Sequence, residues 1–166
     1  WGVLNIGSPG EAIVMEDALA KSPPQTRRVL LVDDEDRFVA QLCRLLEKRN
    51  FQVVTAGDGR QALELIDTQT FDVVVLDLLM PVMDGIELLK QARARGHTAT
   101  FIMVTAFASV DSAIDAIKAG AWDYITKPVR NEEILHRLQQ IDSMRGLREE
   151  NRALREVGST WFGPAQ

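Results

Sequence analysis

The sequence predicts an α/β fold: a doubly wound, five-stranded parallel sheet with helices on both faces and an extended helix at its C-terminal end. Two features of the residue pattern predict the sheet. Short apolar runs alternate with stretches of helical periodicity five times along the chain. The runs are apolar at successive positions rather than at every second one, as strands buried on both faces require. Strand–helix units of this kind cross over right-handed and build an open sandwich. Its ligands bind at the C-terminal ends of the strands.

The rhythm begins with the strand Val29–Val32, followed by a helix over Asp36–Lys48 carried by Val39, Leu42, Leu45 and Leu46. Phe51–Ala56 reads as the second strand and Gly59–Asp67 as the second helix, with Ala62, Leu63, Leu65 and Ile66 at helical spacing. The run within Asp72–Asp77 is the third strand, and a helix follows Gly85. Thr100–Thr105, Ser109–Ala119 and Trp122–Thr126 give strand, helix and strand, and a last helix starts near Asn131. This divides the chain into an N-terminal extension over residues 1–26, a compact domain over 27–142, a helical linker over 143–158 and a tail over 159–166. The extension is expected to be mostly a flexible lead-in ending in Ser22-Pro23-Pro24, with a short helix over Glu11–Ala20 as its one candidate element. A start at Trp1 rather than methionine is expected of a processed or truncated chain.

Composition narrows the function classes. With 166 residues, 46% hydrophobic and 26% charged, the chain has the profile of a globular domain with tails. A net charge of −5 gives no general pull toward nucleic acid or anionic membranes. Cys43 is the single cysteine, which excludes an internal disulfide framework, and its apolar neighbours make it a core thiol. No apolar run is long enough for a membrane span, so the expected compartment is the cytoplasm.

The strand ends hold an unusual set of side chains. Strand one ends in Asp33-Asp34, strand three in Asp77 and strand four in Thr105, and strand five leads into Lys127-Pro128. Taken singly, each has a plainer explanation. An Asp pair after a strand is ordinarily a helix N-cap, Asp84-Gly85 a turn, Tyr124 a half-buried strand aromatic and Lys127 a solvated lysine. One topology, however, places them all at the same sheet edge. Three carboxylates there would repel one another, and a hard divalent cation such as Mg2+ relieves this. A lysine and a hydroxyl beside them complete a pocket for a tetrahedral oxyanion. The chemistry this implies is phosphoryl transfer to a carboxylate, with Asp77 as nucleophile. His97 and His136 read as surface residues rather than phosphoacceptors.

Four segments carry a family resemblance. Leu30-Leu31-Val32-Asp33-Asp34-Glu35, Val75 to Gly85, Val104-Thr105-Ala106 and Tyr124-Ile125-Thr126-Lys127-Pro128 resemble the receiver domains of two-component response regulators, in order and spacing, across roughly residues 27–142. The resemblance implies a flavodoxin-like (βα)5 fold, a sensor histidine kinase as donor and Asp77 as phosphoacceptor. It implies metal binding by Asp33, Asp34, Asp77 and the backbone carbonyl of Leu79. Lys127 would bind the phosphoryl group and Thr105 would move toward it. Tyr124 would turn inward in the active state, and a cis peptide is expected before Pro128. The switched surface would be the face of the fourth helix, fifth strand and fifth helix. The domain would catalyse only its own phosphorylation and dephosphorylation, turning over no external substrate. Leu79 and Phe107 are expected to crowd the path of attacking water and slow hydrolysis.

The tail adds a second signal. Leu147, Asn151 and Leu154 fit positions d, a and d of a heptad, with charged residues between them, a pattern for a homodimer through the C-terminal helix. Leu147 to Glu156, with Ser109 to Ile114 and Gly120 to Tyr124, resembles the NtrC-type transcriptional activators, whose receivers control an output domain. No Gly-x-x-x-x-Gly-Lys phosphate loop or basic recognition helix occurs, so this segment itself is not expected to bind nucleic acid. The alternatives are a standalone receiver acting by protein docking, and an Mg2+-dependent aspartyl-phosphate phosphatase. Phosphatases resembling the haloacid dehalogenases place their nucleophile after the first strand, whereas Asp77 follows the third.

Overall fold

The structure, a computed structural model, describes residues 27–161, without the side-chain surroundings of 145–150 and 156–161. The expected helix at Glu11–Ala20, the rest of the N-terminal extension and residues 162–166 lie outside the described residues. Five strands, β1 (Arg27–Val32), β2 (Phe51–Ala56), β3 (Val73–Leu76), β4 (Thr100–Thr105) and β5 (Asp123–Thr126), alternate with five helices. The helices are α1 (Asp36–Lys48), α2 (Gly59–Thr68), α3 (Gly85–Ala94), α4 (Val110–Ala119) and α5 (Asn131–Trp161). All strand pairs are parallel, in the order β2-β1-β3-β4-β5.

Successive strand residues point to opposite faces, so each apolar run supplies two cores at once. Leu30, Val32, Val74, Leu76, Phe101 and Met103 pack with residues of α2, α3 and α4. Val29, Leu31, Val73, Val75, Ile102 and Val104 face the other way, against α1 and α5. Side chains of this kind, when fully buried, contribute about 1.5–3 kcal/mol each.

Local chemistry sets the helix ends. Asp58 and Asp84 cap α2 and α3, accepting hydrogen bonds from the backbone N–H groups of Gln61 and Glu87, both at 2.8 Å. Ser109 and Ser112 form a reciprocal capping box at the start of α4. Gly120, with φ at 109°, ends the same helix in the left-handed conformation that glycine favours. At α1 the N-cap is Glu35, with no side-chain cap bond. The Asp pair that sequence logic would assign to capping is therefore not used for it.

α5 runs unbroken through Trp161, beyond the expected linker boundary at residue 158. Its last core residue is Ile141, and Asp142 pairs with Arg27 at 2.9 Å. Beyond that point the described side chains are solvent-facing, with Asn151 to Arg155 all exposed. The helix changes its surroundings there, not its conformation. The side chain of Leu147, one of the three heptad positions, lies outside the described residues.

Gly85 is where the fold leaves least room. A methyl group on its Cα would come within 2.4 Å of the Asp77 carbonyl oxygen and 3.1 Å of the Leu78 Cα. Both neighbours are backbone atoms, which cannot swing aside as a flexible side chain can. Gly85→Ala is expected to destabilise the domain by about 1–3 kcal/mol. Gly57→Ala, whose nearest neighbour would be the Gln61 Oε1 at 3.9 Å, should change little. Urea unfolding midpoints check this, and equal midpoints for the two variants would show that the loop yields freely.

Candidate functional site

Sheet register assembles the site. Val32 pairs with Leu76, so Asp33 and Asp77 leave adjacent parallel strands side by side. Backbone pairing continues past the strand ends, with Asp33 N–H donating to the Ala56 carbonyl at 3.2 Å and Asp77 N–H to the Val32 carbonyl at 2.9 Å. Thr105 pairs with Thr126, and Lys127 N–H donates to the Thr105 carbonyl at 2.8 Å, which delivers the lysine to the same edge. The edge lies where the chain reverses its winding across β1, the crevice in which doubly wound sheets hold ligands.

Carboxylate oxygens of Asp33, Asp34 and Asp77 all lie within 4.8 Å of one another. Asp33 and Asp77 are buried, and Asp34 is exposed. The Lys127 Nζ is 2.6 Å from Asp33 Oδ2, 3.2 Å from Glu35 Oε2 and 3.7 Å from Asp77 Oδ2. The second oxygen of Asp33 accepts from the Glu35 N–H at 2.9 Å, and Asp77 Oδ1 from the Leu79 N–H at 3.3 Å. Thr105 is wholly buried, and its hydroxyl accepts from the Phe107 N–H at 3.2 Å. The peptide between Lys127 and Pro128 is cis, as the resemblance implies.

The charges are under tension. Burial pushes the Asp33 carboxyl above its ordinary range, against the hydrogen bond and charge of Lys127. Burial also works to neutralise Lys127, but its bond to Asp33 and the charges of Asp33 and Asp77 outweigh that and hold the ammonium above the usual lysine range. One cation thus faces a set of crowded carboxylates, two of them buried. Oxygen donors of this type and number suit a hard divalent ion that keeps part of its water shell.

Other expected residues lie around this centre. The Tyr124 hydroxyl is 2.6 Å from the Ser112 hydroxyl, and its ring is partly buried against the core under α2, α3 and α4. Phe107 and Leu79 are exposed at the rim. His97 precedes β4 at the opposite end of the sheet, where it pairs with Asp67 at 2.8 Å, and His136 is exposed on α5.

Three contacts were absent from the sequence reading. Glu35 shares Lys127 with Asp33, Ser112 meets Tyr124, and the Lys127 ammonium lies 4.3 Å from the centroid of the Phe38 ring. Position two after Asp33 could have flagged Glu35. For Ser112 and Phe38 the spacing gave only helix positions.

Known proteins resemble the chain in sequence and in fold. The response regulator receiver domain family matches residues 29–139. The regulatory protein AtoC of Escherichia coli (strain K12) is 36% identical over 133 residues, covering 80% of this chain and 29% of that protein. The alkaline phosphatase synthesis transcriptional regulatory protein PhoP of Bacillus subtilis (strain 168) is 36% identical over 115 residues, 69% of this chain and 48% of that protein. The chain thus spans less than half the length of either relative. Among solved structures, the Francisella response regulator 1452 receiver domain superposes with a TM-score of 0.68 at 33% identity, covering 72% of this chain and 98% of that one. With this fold, this site and the family match over most of its described residues, the chain belongs to the receiver domains of two-component response regulators.

Proposed function

We propose that this receiver accepts a phosphoryl group on Asp77 from a sensor histidine kinase and passes the change to an output domain. The convergence of Asp33, Asp34 and Asp77, with Lys127 bridging Asp33 and Asp77, carries the reading. A carboxylate oxygen of Asp77 attacks the phosphorus of the phosphohistidine, the phosphorus–nitrogen bond breaks, and the imidazole nitrogen leaves with the electron pair and takes up a proton. Hydrolysis resets the switch: water attacks the phosphorus, releasing inorganic phosphate and the free carboxylate. Asp33, Asp34, Asp77 and the Leu79 carbonyl would hold Mg2+, which when bound supplies the positive charge that lets the carboxylates and a phosphoryl group share one pocket. Lys127 neutralises the added oxygens, and Thr105 offers them a hydroxyl donor once its hydrogen bond from Phe107 N–H is given up. Exposed Leu79 and Phe107 flank the route for water. Phosphoryl transfer from a kinase of this kind fits a cytoplasmic domain.

The output face is the lightly anchored one. α4 buries only Ala116 completely and exposes Val110, Ile114 and Ile117. Its first turn is tied to β5 through Ser112 and Tyr124. Elements with so few buried contacts open at the lowest cost. A phosphoryl group that draws Thr105 and then Tyr124 inward would break the Ser112 bond and free the start of α4. That would change the face of α4, β5 and α5 and the helix leading out of the domain. The exposed continuation of α5 supports an NtrC-type parent in which this helix pairs with a second copy.

Incubation with acetyl phosphate and Mg2+ should add one phosphoryl group to the intact mass of the wild type and none to Asp77→Ala. An adduct that persists in the variant would assign the acceptor elsewhere. Lys127→Met removes the cation that competes for Asp33, so Mg2+ should bind severalfold more tightly by calorimetry while Asp77 phosphorylation slows about tenfold or more. Weaker Mg2+ binding would mean that the lysine supports the metal site rather than opposing it. Sedimentation of the whole chain at rising concentration should show a monomer–dimer equilibrium that shifts with a phosphoryl mimic. Only monomer under both conditions would remove the tail helix from dimerisation.

A further inference from the structure

The surroundings of Lys127 contain more than the acid cluster explains. Its side chain is 11% exposed. An ammonium carries three hydrogen-bond donors and no acceptor. Two of its neighbours at hydrogen-bond distance are carboxylates, Asp33 and Glu35. A third side is covered by the Phe38 ring, whose centroid is 4.3 Å from Nζ. Phe38 sits in the first turn of α1 and packs against the core shared by α1 and α5, so neighbours on its own side of the sheet fix the ring.

The two kinds of neighbour act differently on a lysine that must bind a phosphoryl group. A carboxylate attracts the ammonium but occupies a donor, and its charge repels the incoming anion. An aromatic face attracts the cation through its quadrupole, bears no net charge and takes no conventional hydrogen bond. A leucine in the same place would fill space without that attraction.

We propose that Phe38 is a positioning residue for phosphoryl transfer: its ring holds the Lys127 ammonium beside the acid cluster without adding a negative charge that would repel the phosphoryl oxygens. The inference rests on Asp77 being the phosphoacceptor. Nζ is already 3.7 Å from Asp77 Oδ2, so holding it there leaves only a short movement to an oxygen of a phosphoryl group carried by that carboxylate. Glu35, 60% exposed at its side chain, is the weaker tether because solvent screens it.

The test compares Phe38→Leu with Phe38→Tyr in the whole chain. Phe38→Leu should slow Asp77 phosphorylation by acetyl phosphate about three- to tenfold, the range expected for losing one cation–π contact. Its Mg2+ affinity should stay within about twofold of wild type, and Phe38→Tyr should restore the rate. Independently of turnover, the Lys127 side-chain protons should show an upfield ring-current shift by NMR that disappears in Phe38→Leu. A wild-type rate in Phe38→Leu, equal losses in both variants, or no ring-current shift in the wild type would overturn the role given to Phe38. A wild type that takes no phosphoryl group on Asp77 would overturn the underlying reading and this role with it. A phosphorylated wild type confines a failure to Phe38.

Discussion

Everything at the functional edge depends on placing buried like charges side by side. Parallel pairing of β1 with β3 sets Asp33 next to Asp77, and neither carboxylate can retreat because each follows directly on a buried strand. In water such a pair would separate. Here the hydrogen bonds and packing of two sheet faces hold the strands in register, and the site draws on that stability. Lys127 is the counterweight, and it arrives by the same means, since pairing of β4 with β5 carries it to the edge. The edge therefore offers negative charge from the carboxylates and positive charge from the lysine. A cation can join the carboxylates, and a phosphoryl group can meet the lysine.

The remaining architecture separates rigid support from movable parts. α1, α2 and α3 bury long apolar side chains and keep β1 and β3 fixed. α4 is held mainly at its ends. At its start Ser112 of the capping box meets the Tyr124 hydroxyl, and at its finish Arg93 Nη2 donates to the Gly120 carbonyl at 3.3 Å. Arg93 also stacks on Phe101, with 5.0 Å from its guanidinium carbon to the ring centroid, which fixes this anchor to the core. A helix tied at both ends and exposed along its side suits a surface whose shape depends on the site beneath it. α5 then leaves the domain: one continuous helix belongs to the core up to Ile141, and beyond it Ser143, Met144 and Asn151 to Arg155 are exposed.

The fold was legible because its signal is redundant. Five apolar runs and the helical spacing between them fixed the element order and type, and expected boundaries such as Asp36–Lys48, Phe51–Ala56 and Thr100–Thr105 match the observed ones. Strand ends shifted by a residue or two where charged residues extend the pairing, as Arg27 and Arg28 do opposite Phe51 and Gln52. The last helix extends through Trp161, three residues past the expected linker boundary at 158.

Asp33, Asp34, Asp77, Thr105 and Lys127 could be singled out from sequence because each stands at the end of a recognisable run, and strand ends are where such sheets place chemistry. The sequence by itself thus determined the fold class, the family and the members of the acid cluster. Tertiary structure decided which carboxylates gather around the Lys127 ammonium. That the Asp pair leaves α1 without a side-chain cap, that Lys127 reaches three carboxylates and the face of Phe38, and that Tyr124 meets Ser112 all depend on sheet register and side-chain direction. The reason is physical: periodicity specifies which face a residue occupies, while a contact of a few ångströms between distant segments depends on how whole layers settle against one another.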